Sequence, residues 1–257
     1  MLVKYEVISS VAKITLNRPE KFNSFIREMA LEFQAALKHA QSDEMVRAVY
    51  ITAEGKAFCA GQDLSEAIDP SGPGIEKIVA EHYNPIITLI RQIEKPIVCA
   101  VNGVAAGAGA NIAFACDITL AAKSASFIQA FSKIGLVPDS GGTYTLPRLI
   151  GLQRATALMM LGEKISAEEA ALMGMIFRAV DDDELQNSAF QIATTLANMP
   201  TKGLGLTKRL LNTSFNNNLQ DQLNHEKLAQ AEAGQTEDYK EGVKAFLEKR
   251  KPVFTGK

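Results

Sequence analysis

Two β-branched runs, 46–52 and 97–101, set the strongest limit on what this chain can fold into. Neither keeps the strict apolar–polar alternation of a strand with one wet face, so each is expected to be covered on both faces. The stretch between them, 75–93, repeats apolar side chains at helical spacing. Strand, crossover helix and strand in that order make a parallel pair, and a buried parallel sheet needs helices over its faces. The order continues through a helix at 109–116 and a strand at 117–121. An α/β chain of stacked ββα or βαβ turns follows, rather than an all-α bundle.

The flanks fill in the plan. Residues 2–8 and 11–16 are short, partly alternating segments split by Ser9-Ser10, the pattern of a β-hairpin. Over 25–41, Ile26, Met29, Ala30, Phe33, Leu37 and Ala40 recur at three- and four-residue steps with Glu28, Glu32 and Lys38 between them, an amphipathic helix. Pro85 lacks the amide donor that a helix interior needs, so the helix over 75–93 is expected to kink or restart there. Beyond Thr143 helical patterns take over, at 149–161, 166–173, 184–198, 202–214, 219–232 and 237–249. Ser166 and Glu169 stand at capping-box spacing and mark one helix start.

Charge and composition remove several function classes. The 257 residues carry 27 Lys+Arg against 29 Asp+Glu, which leaves no global field to hold nucleic acid or an anionic membrane. Cys59, Cys99 and Cys116 are odd in number and far apart, which suits reduced thiols buried as small hydrophobes better than a disulfide framework. His39, His82 and His225 are scattered, so no bound metal is expected. No basic-then-apolar leader opens the sequence, and no apolar run approaches the length of a membrane span. The expectation is a soluble cytoplasmic protein.

Three Gly-rich stretches follow apolar strands: Ala60-Gly61-Gln62-Asp63-Leu64, Ala106-Gly107-Ala108-Gly109, and Asp139-Ser140-Gly141-Gly142. Glycine lets backbone approach a ligand closely, and a helix that starts after such a loop has free N–H groups at its first turn. On the residues alone, ordinary tight turns explain any single loop as well. Gly107-Ala108-Gly109 has no third glycine at dinucleotide-binding spacing, and no phosphate loop or nucleophile elbow occurs, so neither NAD nor ATP is indicated.

Taken together the three stretches resemble the crotonase, or enoyl-CoA hydratase/isomerase, superfamily over essentially the whole chain. Leu16-Asn17-Arg18-Pro19 with Asn23, Lys95-Pro96 before Asn102-Gly103, and Gly242 with Phe246-Leu247-Glu248-Lys249 support the resemblance. It implies a crotonase-like spiral of ββα units over 1–197 and a C-terminal helical appendage over 198–257 that serves oligomerisation. The assembly implied is a homotrimer or a dimer of trimers, consistent with apolar faces at Leu206, Leu210 and Phe215 that lack an obvious internal partner. The ligand implied is an acyl-CoA thioester, with coenzyme A part of the substrate and no separate cofactor. Two backbone amides, of Gln62 and Ala108, would bind the thioester oxygen. Ala60, Gly61, Asp63, Leu64, Gly107, Asn111 and Phe131 would line the acyl group.

The reaction depends on side chains that vary within the family. The two positions where hydratases carry glutamate hold Asn111 and Phe131, neither of which activates water. Asp139 takes the place from which isomerases present a carboxylate, whereas by itself it reads as a turn aspartate. Asp63 and Glu66 suit helix-start capping, and Asn111 reads either as an acyl-pocket residue or as a satisfied buried amide. Tyr83-Asn84-Pro85, Phe131-Ser132-Lys133 and the terminal Pro252-Val253-Phe254-Thr255-Gly256-Lys257 resemble the branch that converts an arene-epoxide thioester to an oxepin-type isomer, although Ser140 stands where that branch would have cysteine. A linear enoyl- or dienoyl-CoA isomerase is the alternative, and a non-catalytic acyl-CoA or RNA-binding module the third. Near-neutral charge weighs against RNA and the retained carboxylate against a dead fold.

Overall fold

Ser9 and Ser10 both take left-handed backbone, φ 50° and 62°, which supplies the twist of a tight hairpin turn. They join β1 (Val3–Ile8) to β2 (Val11–Leu16), antiparallel in register from Val3 opposite Leu16 to Ile8 opposite Val11. The computed structural model describes residues 1–257. Helix α1 (Arg27–Ser42) follows and buries Met29, Ala30, Phe33, Leu37 and Ala40, the stripe expected from their spacing.

Three ββα turns come next. The first comprises β3 (Ala48–Ala53), β4 (Ala57–Cys59) and the short helices α2 (Leu64–Ala67), α3 (Gly74–Lys77) and α4 (Asn84–Gln92). The second is β5 (Ile97–Val101), β6 (Val104–Ala106) and α5 (Ala108–Ala115). The third is β7 (Ile118–Ala122), β8 (Ser126–Ile128), a 3-10 turn at Ala130–Ile134 and α6 (Gly142–Ile150). Then come α7 (Leu152–Leu161), β9 (Lys164–Ser166), α8 (Ala167–Met173), β10 (Arg178–Val180) and α9 (Leu185–Ala197). One sheet runs β1-β2-β3-β5-β7-β10 and the other β4-β6-β8-β9. Every residue of β3 and of β5 is buried, as their β-branched runs require.

The second sheet was not legible as strands. Its members are three residues each, too short for any period, and they exist because β4, β6 and β8 pair parallel from successive turns. That pairing positions the site, since the chain leaving Cys59, Ala106 and Ile128 emerges from adjacent strands. The single helix expected over 149–161 is also corrected: Gly151, at φ 79°, separates α6 from α7.

The helix restarts at Pro85 as expected, with α4 opening at Asn84 and Pro85 in its first turn. The path stays helical from α3 to α4 by widening into a π-helical turn at Ile78–Tyr83. The carbonyl four residues before Pro85, that of Glu81, instead accepts from Gln34 Nε2 of α1 at 2.7 Å, and the His82 carbonyl accepts from the same atom at 3.1 Å. A buried carbonyl left without a donor costs roughly 1–3 kcal/mol, so this borrowed side chain offsets the missing amide.

The C-terminal helices are α10 (Thr201–Ser214), α11 (Leu219–Ala233) and α12 (Glu237–Leu247). Lys208 of α10, its side chain 7% exposed, reaches the Ile90 carbonyl at 2.7 Å and Asp117 Oδ2 at 2.8 Å. Arg47, just before β3, bonds the Met199 carbonyl, Thr201 Oγ1 and the Phe254 carbonyl. Leu206 is buried within the chain, contrary to the reading that gave it no internal partner, whereas Phe215 is exposed. Leu219, Leu228, Phe246 and Leu247 are likewise exposed. No helix is long and apolar enough to cross a membrane.

Candidate active site

The first loop leaves β4 and crosses beside the segment after Asn23. Phe25 N donates to the Gly61 carbonyl at 2.7 Å, and Asp63 N donates to the Phe25 carbonyl at 2.8 Å. In this parallel bridge the groups on either side of Gln62 face Phe25, so the Gln62 N–H points away from it. Gly61, at φ 90°, makes the turn, and a Cβ there would lie 3.0 Å from the Ala106 carbonyl oxygen and 3.6 Å from Ala108 N. The first two Gly-rich loops therefore touch at Gly61.

Ala108 is the first residue of α5, so its N–H has no acceptor within the helix. The helix is seated by Gly109, where a Cβ would come within 2.4 Å of the Cys59 carbonyl oxygen. Only a residue without Cβ permits that approach. Two backbone donors from neighbouring turns of the spiral, Gln62 and Ala108, thus stand without acceptors in the chain.

Asp139 comes from the third loop and is brought to α5 by Asn111. Asn111, 1% exposed, donates from Nδ2 to the Asp139 carbonyl at 2.9 Å and accepts at Oδ1 from Gln129 Nε2 at 2.8 Å. Because a carbonyl can only accept, this pair also fixes which end of the Asn111 amide is which. The Asn111 amide is thus satisfied within the chain and ties the Asp139 loop to α5. Ser140, buried and at φ 51°, donates from Oγ to Asp139 Oδ1 at 2.8 Å, leaving Oδ2 without a partner in the chain. Burial pushes the Asp139 carboxyl above its ordinary value, although the Ser140 hydroxyl opposes the shift.

Three other expected residues, Phe131, Ala60 and Leu64, lie at the first two loops. The Phe131 ring lies against Gly107, where a Cβ would meet it at 3.5 Å. Ala60 and Leu64 are exposed beside the first loop. Asp63 is the exception, because its carboxylate caps α2 by accepting from Ser65 N and pairs with Arg18 at 2.8 Å. The Ser65 hydroxyl, followed by Arg18, holds its pKa below the ordinary value. That carboxylate is committed to the loop's own structure.

Two residues were missed by sequence reasoning. Gln129 is the far support of Asn111, and Tyr83 donates from its hydroxyl to Gln62 Oε1 at 2.9 Å. Neither sits at a spacing that announces its partner, since Tyr83 lies 21 residues from Gln62 and Gln129 lies 18 from Asn111.

The ββα spiral belongs to a known class: the chain is a member of the enoyl-CoA hydratase/isomerase family, whose model matches residues 6–257. Its fold is the crotonase fold. It is 48% identical over 254 residues to the 1,2-epoxyphenylacetyl-CoA isomerase of Escherichia coli K12, covering 98% of this chain and 97% of that one. It is 37% identical to the trans-2-decenoyl-[acyl-carrier-protein] isomerase of Streptococcus mutans, covering 99% and 98% of the two chains. The crystal structure of an enoyl-CoA hydratase from Bacillus anthracis matches with a TM-score of 0.93 at 34% identity over 100% of both chains.

Proposed function

We propose that this protein isomerises an acyl-CoA thioester, with ring 1,2-epoxyphenylacetyl-CoA as substrate and its oxepin isomer as product. The observation that carries the reading is the half-buried carboxyl of Asp139, one oxygen held by Ser140 and the other free, in a loop pinned to the helix that offers the Ala108 amide. The amides of Gln62 and Ala108 take the thioester oxygen. Asp139 Oδ2 takes a proton from the carbon next to the carbonyl, and the electron pair of that C–H bond moves onto the oxygen as an enolate. The bond shared by the three- and six-membered rings opens to a seven-membered ring, and the proton is returned to a ring carbon, so nothing is gained or lost. Fixed donors aimed at developing negative charge are worth most in such a site. Coenzyme A arrives with the substrate, and no further cofactor enters.

The similarity to an E. coli protein of that activity supports the aryl substrate. The S. mutans relative, an isomerase of a linear acyl chain, supports the second reading, a linear enoyl or dienoyl thioester handled by the same groups. Hydration is expected to be negligible in either case. Asn111 has both ends of its amide engaged and cannot take a proton from water, and Phe131 offers no polar atom. An assay of the ring epoxide beside linear 2- and 3-enoyl-CoA esters, followed by absorbance and product mass, tests this. Turnover of the epoxide above all linear esters is the expected result, and water addition to a 2-enoyl-CoA as fast as any isomerisation would contradict it.

The chain is further proposed to act as a trimer or a dimer of trimers. Open clefts of about 720 and 760 Å³ run along α10, α11 and α12 and are lined in part by Leu210, Leu223, Val243 and Phe246. Closed symmetry would cover the exposed apolar side chains there. Light scattering at micromolar concentration is expected to give three or six subunits, and a monomer would refute it.

A further inference from the structure

Tyr83 ends the π-helical turn and is fully buried, its ring 5.9 Å from that of Phe25 between centroids. Single π turns inside α-helices are frequent at functional sites, and this one carries a hydroxyl to the first Gly-rich loop. While Tyr83 donates to Gln62 Oε1 at 2.9 Å, Gln62 Nε2 donates to Glu66 Oε2 at 2.7 Å. Glu66 is anchored in turn by accepting from Arg27 N at 2.9 Å on Oε1. The Gln62 side chain is therefore gripped at both ends of its amide, by the π turn and by α2. Its backbone is gripped as well, through the bonds that Phe25 makes to Gly61 and Asp63.

We infer that Tyr83 is a positioning residue: through the Gln62 side chain it fixes the plane of the Gln62 peptide, so that the N–H proposed to hold the thioester oxygen is aimed before substrate arrives. The inference rests on that proposed role of Gln62. Its physical basis is that an oxyanion donor is effective to the extent that it need not reorient during reaction. A free glutamine side chain samples many rotamers, and here that freedom is removed by bonds made in the fold. Burial, with the charges of Cys59, Asp139 and Glu66 adding to it, holds the Tyr83 hydroxyl pKa well above its usual value, so it stays a donor across the working range. A residue that merely filled space would need the ring and not the hydroxyl.

The test compares Tyr83→Phe, Gln62→Met and the double variant with wild type. The readout is exchange of the α-hydrogens of phenylacetyl-CoA for deuterium in heavy water, which reports enolate formation whatever acyl group is natural. Affinity for phenylacetyl-CoA and melting temperature are measured beside it. Gln62→Met keeps the backbone N–H and the chain length while removing both side-chain bonds. Each single variant is expected to exchange about tenfold more slowly, the scale of one lost hydrogen bond. Affinity should move less than about twofold, because the aimed donor acts mainly on the enolate. The double variant should be no slower than either single one, since both remove the same linkage. Tyr83→Phe exchanging at the wild-type rate, or losses that multiply in the double variant, would overturn the inference. If Tyr83→Phe does not fold, Gln62→Met decides, and a wild-type rate from it is equally fatal. Wild type that exchanges while Asp139→Asn does not keeps the enzymatic reading standing whatever Tyr83→Phe does. Wild type that leaves the α-hydrogens in place removes both.

Discussion

Asp139→Asn is expected to lower the isomerisation rate by about two to four orders of magnitude, the usual contribution of a positioned acid/base. The variant keeps the size of the side chain, the Asp139 carbonyl that accepts from Asn111, and a group able to bond Ser140. It loses only the oxygen that carries the proton. Acyl-CoA affinity should persist, because the amides of Gln62 and Ala108 belong to the backbone. Stability gives an independent reading of the same residue. Burial raises the folded-state pKa of Asp139 above its unfolded value, so ionisation costs the folded state once pH exceeds the unfolded value. Asparagine removes that cost. The variant should therefore melt higher than wild type at neutral pH, and the gap should close as pH falls below the unfolded aspartate value, where both side chains are neutral. Wild-type activity should fall with pH through the raised pKa of Asp139, because the base must be ionised to act. Measured side by side, a folded Asn variant retaining most of the rate would rule Asp139 out as the base.

The second large effect lies in the scaffold. Asp117→Ala is expected to destabilise the protein by roughly 3 kcal/mol, the lower end of the range for removing one partner of a buried pair, because Lys208 is buried while Asp117 keeps some contact with solvent. For a chain of this size that is on the order of 10 °C in melting temperature. Asp117 Oδ2 accepts both Lys208 Nζ at 2.8 Å and the Ile97 amide at 2.9 Å, so one truncation strands an ammonium and the first N–H of β5. Burial already lowers the Lys208 pKa, with Asp117 opposing that shift. A lysine with a lowered folded pKa leaves the unfolded chain holding more protons in the window between the two values, so stability rises with pH there. The deficit of Asp117→Ala should accordingly narrow as pH rises toward the lysine range. Adding Lys208→Met, which removes the stranded charge, should recover part of the loss. Thermal melts of the single and double variants across pH check this, and a single variant within about 1 kcal/mol of wild type would show that the pair carries little.

What the sequence announced and what it hid differ for physical reasons. β3 and β5 announced themselves because burial on both faces selects β-branched residues in unbroken runs. β4, β6 and β8 did not, because three residues have no period and their partners lie a full turn of the spiral away. Pro85 was read by the correct local rule, yet Gln34 from α1 supplied the missing donor, which no window around Pro85 contains. At the proposed site, Asp139, Gln62 and Ala108 were named from the resemblance that the three Gly-rich loops carry together, since each loop by itself reads as an ordinary tight turn. Tyr83 and Gln129 each make a single side-chain bond to a residue 21 or 18 positions away, and such bonds leave no pattern along the chain. The C-terminal helices were read as helices, but Leu206 found its partners within the chain, as tertiary packing rather than periodicity decides.

One carboxyl, that of Asp139, is proposed to move a proton within a thioester and to add nothing to it. The most direct measurement is the mass of the product formed by wild type from ring 1,2-epoxyphenylacetyl-CoA, compared with that formed by Asp139→Asn. The account predicts an isomer of unchanged mass from wild type and almost none from the variant. A product heavier by one water, or equal conversion by the two proteins, would contradict it.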